Sequence, residues 1–268
     1  MRRDIVRMTS AVNSGHPGGS LGCTEFFVAM YYEIMKIDPS AFTMDGKNED
    51  LFFLSNGHIS PVWYSVLAHR GFFPVKELAT FRKINSRLQG HPTTAEHLPG
   101  IRVASGSLGQ GLSVAIGAAL AKKLNGDKAF VYTLQSDGEM EEGQIWEGAM
   151  FAAARKVDNL ICSLDLNGIQ IDGKTEDVLP IGELKPKWLA FGWDVLECDG
   201  NDIEKVIATL KEAQKHTGKG KPVMILLRTV LGKGVDYMEH HAKWHGTAAN
   251  PEELKKALAQ LEETSGDY

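Results

Sequence analysis

Residues 129–168, AFVYTLQSDGEMEEGQIWEGAMFAAARKVDNLICSLDLNG, decide the fold. One apolar run, Ala129 to Leu134, leads into Ser136-Asp137-Gly138, and a second, Leu160 to Leu164, leads into Asn167-Gly168. Between them Gln144 to Lys156 carries the spacing of a helix. Strand, helix and strand over this length make a parallel βαβ unit, and both strand tips then fall on one edge of the sheet. Open α/β sheets bind their ligands at that edge. The unit therefore brings a carboxylate, Asp137, beside a carboxamide, Asn167. With a nearby backbone carbonyl they form a hard-oxygen set for a small divalent cation, with positions left for phosphate oxygens. Asp-Gly and Asn-Gly are also common turn pairs, so the turn reading and the ligand reading both stand.

Outward from this unit the alternation continues. Helices are expected over Gly109–Leu124, Glu183–Phe191, Asp202–Lys215 and Pro251–Glu262, and strands over Lys128–Leu134, Asn159–Asp165, Trp193–Cys198 and Pro222–Val230. Such a series predicts a doubly wound, mostly parallel α/β sheet with helices on both faces. Toward the N-terminus, Arg3–Val12, Cys23–Met35 and Val62–His69 read as helices, and Leu51–Leu54 as a strand. Asn13–Ser20 is too rich in Gly and Pro for a helix, and 84–105 has no period and reads as a long loop. The expectation is one domain over 1–268, with Gly/His/Pro loops in 13–105.

Bulk properties narrow the function. Apolar content of 43% and charged content of 24% describe a globular chain with a sizeable core. A net charge of −5 argues against nucleic acid or an anionic membrane as a partner. No apolar run approaches the ~18 residues of a membrane span, and Met1-Arg-Arg-Asp4 is followed by no secretory apolar stretch. Cys23, Cys162 and Cys198 are odd in number and far apart, which predicts reduced thiols in a cytoplasmic protein.

Several other residues could carry chemistry. An EF-hand loop starting at Asp165 would need an oxygen ligand at Ile169 and glycine at Gln170, and has neither. Glu142 sits with Glu139 and Glu141 at the start of the crossover helix; it serves either the helix dipole or the metal shell. Gly106-Ser-Leu-Gly-Gln-Gly111 opens a helix but has the wrong spacing and place for a dinucleotide fingerprint, and close helix packing is its other reading. Among nine histidines, His16 and His91 each lie in a Gly-His-Pro frame, whose proline biases the imidazole-bearing residue to extended backbone. His58 and His245 also adjoin glycine. His240 and His241 read as solvent-facing.

Taken together these segments resemble the N-terminal, diphosphate-binding half of transketolase, from about Arg3 to Ala249. The motifs, in the family's order, are Ser14-Gly-His-Pro-Gly18, Ser55-Asn-Gly-His58, Gly90-His-Pro92, Gly106-Ser-Leu-Gly-Gln-Gly111, Asp137-Gly-x3-Glu142-Gly143, Asn167 with Ile169 and Ile171, and His245-Gly246. The resemblance implies a thiamine diphosphate-binding domain with Mg2+ or Ca2+. It implies Asp137, Asn167 and the Ile169 carbonyl as metal ligands, and His58, His245 and the Gly138 backbone on the diphosphate. It further implies Gly106 and Leu108 at the aminopyrimidine, Ile171 at the thiazolium, and Glu142 among the cofactor residues. His16, His91 and His245 would be catalytic, with His16 and His91 facing donor hydroxyls and assisting proton transfers. Ser136 departs from the glycine usual in the family. The resemblance ends after the diphosphate-binding domain, so it implies a split enzyme whose C-terminal, pyrimidine-binding subunit is a separate chain, as an α2β2 heterotetramer. Such an enzyme would transfer a two-carbon ketol unit from a ketose phosphate to an aldose. A related transferase or synthase of an unusual sugar phosphate, and a cofactor-free scaffold subunit, are the alternatives.

Overall fold

The computed structural model describes residues 1–263; residues 264–268 of the expected domain lie outside the described residues. The chain opens with α1 (Arg2–Ala11), α2 (Pro17–Gly22) and α3 (Thr24–Ala29), the last continuing as a π-turn over Met30–Ile34. Next come β1 (Leu51–Leu54) and α4 (Ser60–His69), then irregular chain up to α5 (Gln110–Leu124) apart from a short 3-10 turn over Val75–Thr80. β2 (Val131–Ser136), α6 (Gly143–Ala154) and β3 (Leu160–Leu166) form the predicted crossover unit. A small ribbon, β4 (Ile169–Gln170) with β5 (Gly173–Lys174), precedes α7 (Thr175–Val178) and α8 (Leu184–Ala190). β6 (Asp194–Asp199), α9 (Ile203–His216), β7 (Val223–Arg228), α10 (Lys243–Gly246) and α11 (Pro251–Gln260) complete it.

The main sheet has the order β1-β2-β3-β7-β6, with every pairing parallel. β1, β2, β3 and β7 are buried on both faces, as helices on either side require, while the edge strand β6 is partly exposed. Tyr132, Leu134, Ile161, Ile225 and Leu227 join one core with residues of α1, α3, α4 and α9. Val131, Leu160, Cys162, Met224 and Leu226 join the other with residues of α5, α6 and α8. Because all strands run one way, the segments after β1, β2, β3 and β7 emerge together at one edge.

Three expectations need correction. Asn13–Ser20 is not wholly irregular, since α2 begins at Pro17. Proline is tolerated in the first turn because its missing N–H would be unpaired there anyway. The glycines of α2 are required by contact: a Cβ on Gly18 would stand 2.7 Å from the Trp244 carbonyl oxygen, and one on Gly22 2.8 Å from that of Val230. Cys23–Met35 is not one α-helix but α3 followed by a wider π-turn. The strand expected over Lys128–Leu134 begins at Val131 and extends to Ser136. The amides of Ala129 and Phe130 are taken by the carboxylates of Asp127 and Asp50, at 2.9 and 2.8 Å, ahead of the ladder. The polar residues Gln135 and Ser136 thus lie inside the sheet, and Asp137 follows it directly.

Candidate active site

Asp137 is 1% exposed at the tip of β2. One of its oxygens accepts the Gly138 amide at 2.8 Å and the other accepts the Gly168 amide from the tip of β3. The two loops are therefore tied to each other through this carboxylate. Asn167 accepts the Ile169 amide on Oδ1 at 2.9 Å and donates Nδ2 to Asp165 at 2.8 Å. The turn bonds and the ligand arrangement coexist, because each oxygen that takes an N–H retains a second acceptor direction.

The histidines converge on this edge. His16 lies 5.1 Å from His58, 6.3 Å from His91 and 5.8 Å from His245 between ring centroids, and His58 stacks on His245 at 5.2 Å. Glycines permit the approach. A Cβ on Gly106, at φ +139°, would stand 2.9 Å from the His91 ring, and one on Gly246 2.7 Å from Ile171 and 3.7 Å from His16. His245 also hydrogen-bonds the Ile169 backbone, which joins the imidazole group to the Asp137–Asn167 loops. Ile171 presents an aliphatic side chain that is 58% exposed beside the cluster. His240 and His241 are exposed, as expected.

Gly138 stays at this edge, bonded to Asp137, while Leu108 and Glu142 lie around Gly109 and Gln144. Gly138 faces Gln170, a residue the motifs did not single out. The Leu108 carbonyl accepts from Gln144 at 3.2 Å. Glu142 is exposed at the N-cap of α6, beside Gly109. Among the described residues no hydrogen bond or ion pair joins its carboxylate to the Asp137–Asn167 loops. Its neighbour Glu139 is no solvated first-turn acid either. It is fully buried and accepts from the Ser55 hydroxyl and from the amides of Gly109 and Ser136, pinning β1, β2 and α5 together. Sequence reasoning also missed Arg82, which donates to Ser14 at 3.0 Å and packs so closely on Gly90 that a Cβ there would meet its guanidinium at 2.5 Å. Arg82 so braces the His16 loop to the His91 loop.

Charge follows from this packing. Burial, then the neighbouring His245, Arg82 and His91, push His16 down to about 4. Burial likewise lowers His58, His91 and His245. At neutral pH all four rings are neutral, each with one N–H and one lone pair. Burial, with Asp165 beside it, pushes Asp137 up to about 7. Asp137 and Asp165 are each 1% exposed and lie beside one another, and no basic side chain is among the charges acting on Asp137, so two buried carboxylates lack a counter-charge. That is an environment a divalent cation would relieve, and the oxygens of Asp137, Asn167 and Ile169 suit a hard one. His16 Nδ1 is buried without a partner, as a donor awaiting an anion would be. The residues fit a metal–diphosphate group.

The family model described as "Transketolase, thiamine diphosphate binding domain" matches residues 2–263. The chain belongs to the transketolase family. It is 41% identical over 262 residues to the 6-deoxy-6-sulfo-D-fructose transketolase subunit SqwG of Clostridium sp. (strain MSTE9), covering 98% of this chain and 94% of that protein. It is 38% identical to one subunit of the apulose-4-phosphate transketolase of Phocaeicola vulgatus, covering 98% of this chain and 91% of that subunit. Human transketolase is 34% identical over 249 residues, which are 92% of this chain but 38% of the human protein. Among solved structures, a Pichia stipitis transketolase in complex with sedoheptulose 7-phosphate superposes with a TM-score of 0.87 at 32% identity, covering 96% of this chain and 39% of that one. The transketolase of Leishmania mexicana gives 0.88 at 29% identity, covering 96% and 39%. The resemblance read from the motifs and the doubly wound fold are both met. The transketolase family makes this chain part of a thiamine diphosphate-dependent transferase of ketol groups. Among the described residues no helix is long and apolar enough to cross a membrane.

Proposed function

We propose that this chain is the diphosphate-binding subunit of a two-chain transketolase, active only with a separate pyrimidine-binding subunit in an α2β2 assembly. The observation that carries the reading is coverage. The chain spans nearly all of two relatives named as transketolase subunits, yet 38% of human transketolase. In this reading Asp137, Asn167 and the Ile169 carbonyl hold Mg2+ or Ca2+, which binds the diphosphate of thiamine diphosphate. His58, His245 and the Gly138 backbone hold the diphosphate itself; Gly106, Leu108, Ile171 and Glu142 are the remaining cofactor residues. Bound thiamine diphosphate supplies the electron sink for cleavage of the donor's carbon–carbon bond. His16 and His91 hold donor hydroxyls. Being neutral, each can donate a hydrogen bond from one nitrogen and accept one on the other, which suits holding a hydroxyl group.

The donor is a ketose with an anionic terminus. The two subunit relatives are named for 6-deoxy-6-sulfo-D-fructose and for apulose 4-phosphate, which favours an unusual sugar phosphate or sulfonate over the common pentose phosphates. The purified chain alone is expected to show no ketol transfer, and activity is expected on adding a pyrimidine-binding chain; turnover without it refutes the two-chain model. Asp137→Ala should weaken metal-dependent thiamine diphosphate binding to the complex more than about a hundredfold by calorimetry, beyond the loss typical of an outer-sphere partner. A panel of ketose phosphates and sulfonates given to the complex identifies the donor.

A further inference from the structure

Asp165, next to last in β3, is 1% exposed and has no place in the reading above. Its neighbours are informative. Oδ2 accepts the Asn167 Nδ2 at 2.8 Å, Oδ1 accepts the Thr229 hydroxyl that follows β7, and the Cys23 thiol makes a third hydrogen bond. Its backbone carbonyl accepts the Asp137 amide at 3.1 Å, continuing the β2–β3 register in which Ser136 lies opposite Asp165. Both expected ligand residues therefore hang from one residue, Asn167 by its side chain and Asp137 by its backbone.

We propose that Asp165, touching neither metal nor cofactor, is the positioning residue that sets the cation affinity of the Asp137–Asn167 site. The inference rests on the reading that Asp137 and Asn167 hold a divalent cation. A carboxamide can present either its oxygen or its nitrogen by a half-turn about its last bond. A carboxylate is acceptor-only, so it accepts only the Nδ2 end and directs Asn167 Oδ1 away from itself, toward the Ile169 turn. An amide at 165 could accept from Asn167 Nδ2 or donate to Asn167 Oδ1, which leaves that choice open. Charge argues the same way. Taking a carboxylate out of water without a basic partner is strongly unfavourable, and three neutral donors offset only part of that. A second negative charge behind Asp137 is a cost in the empty site that a bound dication turns into attraction. If Asp165 served only to stitch β3 to Thr229 and Cys23, neutral hydrogen-bonding groups would serve as well.

The test is the affinity of the full-length chain for Mn2+ in the presence of thiamine diphosphate, followed by the paramagnetic resonance of free Mn2+. Asp165→Asn changes the shape little, and is expected to lower the affinity ten- to hundredfold, the range for outer-sphere partners of metal ligands. Thr229→Val, which keeps the charge and the Asn167 bond, is expected to lose less. Thermal melting without metal reports whether each variant folds as the wild type does. Should D165N fail to fold, Asp165→Glu keeps the charge but displaces the acceptor by a methylene, and a comparable loss is expected there. Wild-type affinity in a folded D165N or D165E beside lost affinity in Asp137→Ala overturns the inference alone. Wild-type affinity in D137A as well overturns the metal assignment beneath it, and the inference with it.

Discussion

Imidazoles packed as closely as His16, His58, His91 and His245, with ring centroids 5.1 to 6.3 Å from His16, share a half-buried edge because they are uncharged. Protonating one would set a cation among the others and beside Arg82. His16 is held at about 4, against about 6.5 in the unfolded chain. A histidine with a depressed folded value binds protons more weakly when folded, so stability is complete above pH 6.5 and is lost as pH falls toward 4. The melting temperature of the chain should therefore drop across that window. His16→Gln, which cannot titrate, should recover roughly 2–4 °C of the drop, about 1 kcal/mol once solvent screening of a partly exposed ring is discounted. An acid limb of the same depth in H16Q would remove His16 as its source. His16 and His91 were legible in the sequence because Gly-His-Pro imposes a backbone form that local residues alone determine. Asp165 and Glu139 were not. A buried acid is distinguished from a solvated one by which distant hydroxyls and amides reach it, and no local pattern records that.

At the level of elements, strands and amphipathic helices were legible wherever their period was set by burial against one sheet. α2 was not, because its composition opposes a helix and its reason for being glycine-rich lies in Trp244, Val230 and Leu231, more than 200 residues away. The two effects can be weighed. Replacing a helical glycine by alanine gains about 0.5–1 kcal/mol of backbone entropy where space is open. A Cβ on Gly22 would meet the Val230 carbonyl oxygen at 2.8 Å and its carbon at 3.4 Å, both backbone atoms that cannot swing aside. Overpacking of this kind costs about 1–3 kcal/mol and outweighs the propensity gain. On α5, a Cβ on Gly117 meets nothing within 4 Å. Denaturant titration should show Gly22→Ala destabilised and Gly117→Ala stabilised by about 0.5–1 kcal/mol. Equal shifts in the two variants would mean that helix propensity alone governs α2.

The whole molecule depends on pairings the sequence pattern left open. Alternating periods dictate a parallel sheet, but the order β1-β2-β3-β7-β6 depends on which crossover packs on which face, a long-range property. The union of the two ends is of the same kind. Arg3 of α1 donates 2.9 Å bonds to the carbonyls of Leu258 and Leu261, two of the orphan acceptors at the end of α11. Tyr237 donates to the Glu253 carbonyl at 2.6 Å, and the Asn250–Glu253 capping box closes the other end of the helix. Ala257 is fully buried, and Leu254, Leu258 and Leu261 pack against the core that holds Ile5, Val6 and Met8. Partial burial of three leucines at about 1 kcal/mol each, with the lost carbonyl partners of Arg3, sums to about 3–5 kcal/mol. At 2–4 °C per kcal/mol for a chain of this size, truncation after Asn250 should lower the melting temperature by roughly 10 °C. The same truncation leaves Asp137, Asn167 and all four clustered histidines in the chain. Calorimetry should therefore find a cooperative transition at lower temperature rather than two transitions. A truncated chain that melts with the full-length one would show that α11 rests on α1 without supporting it.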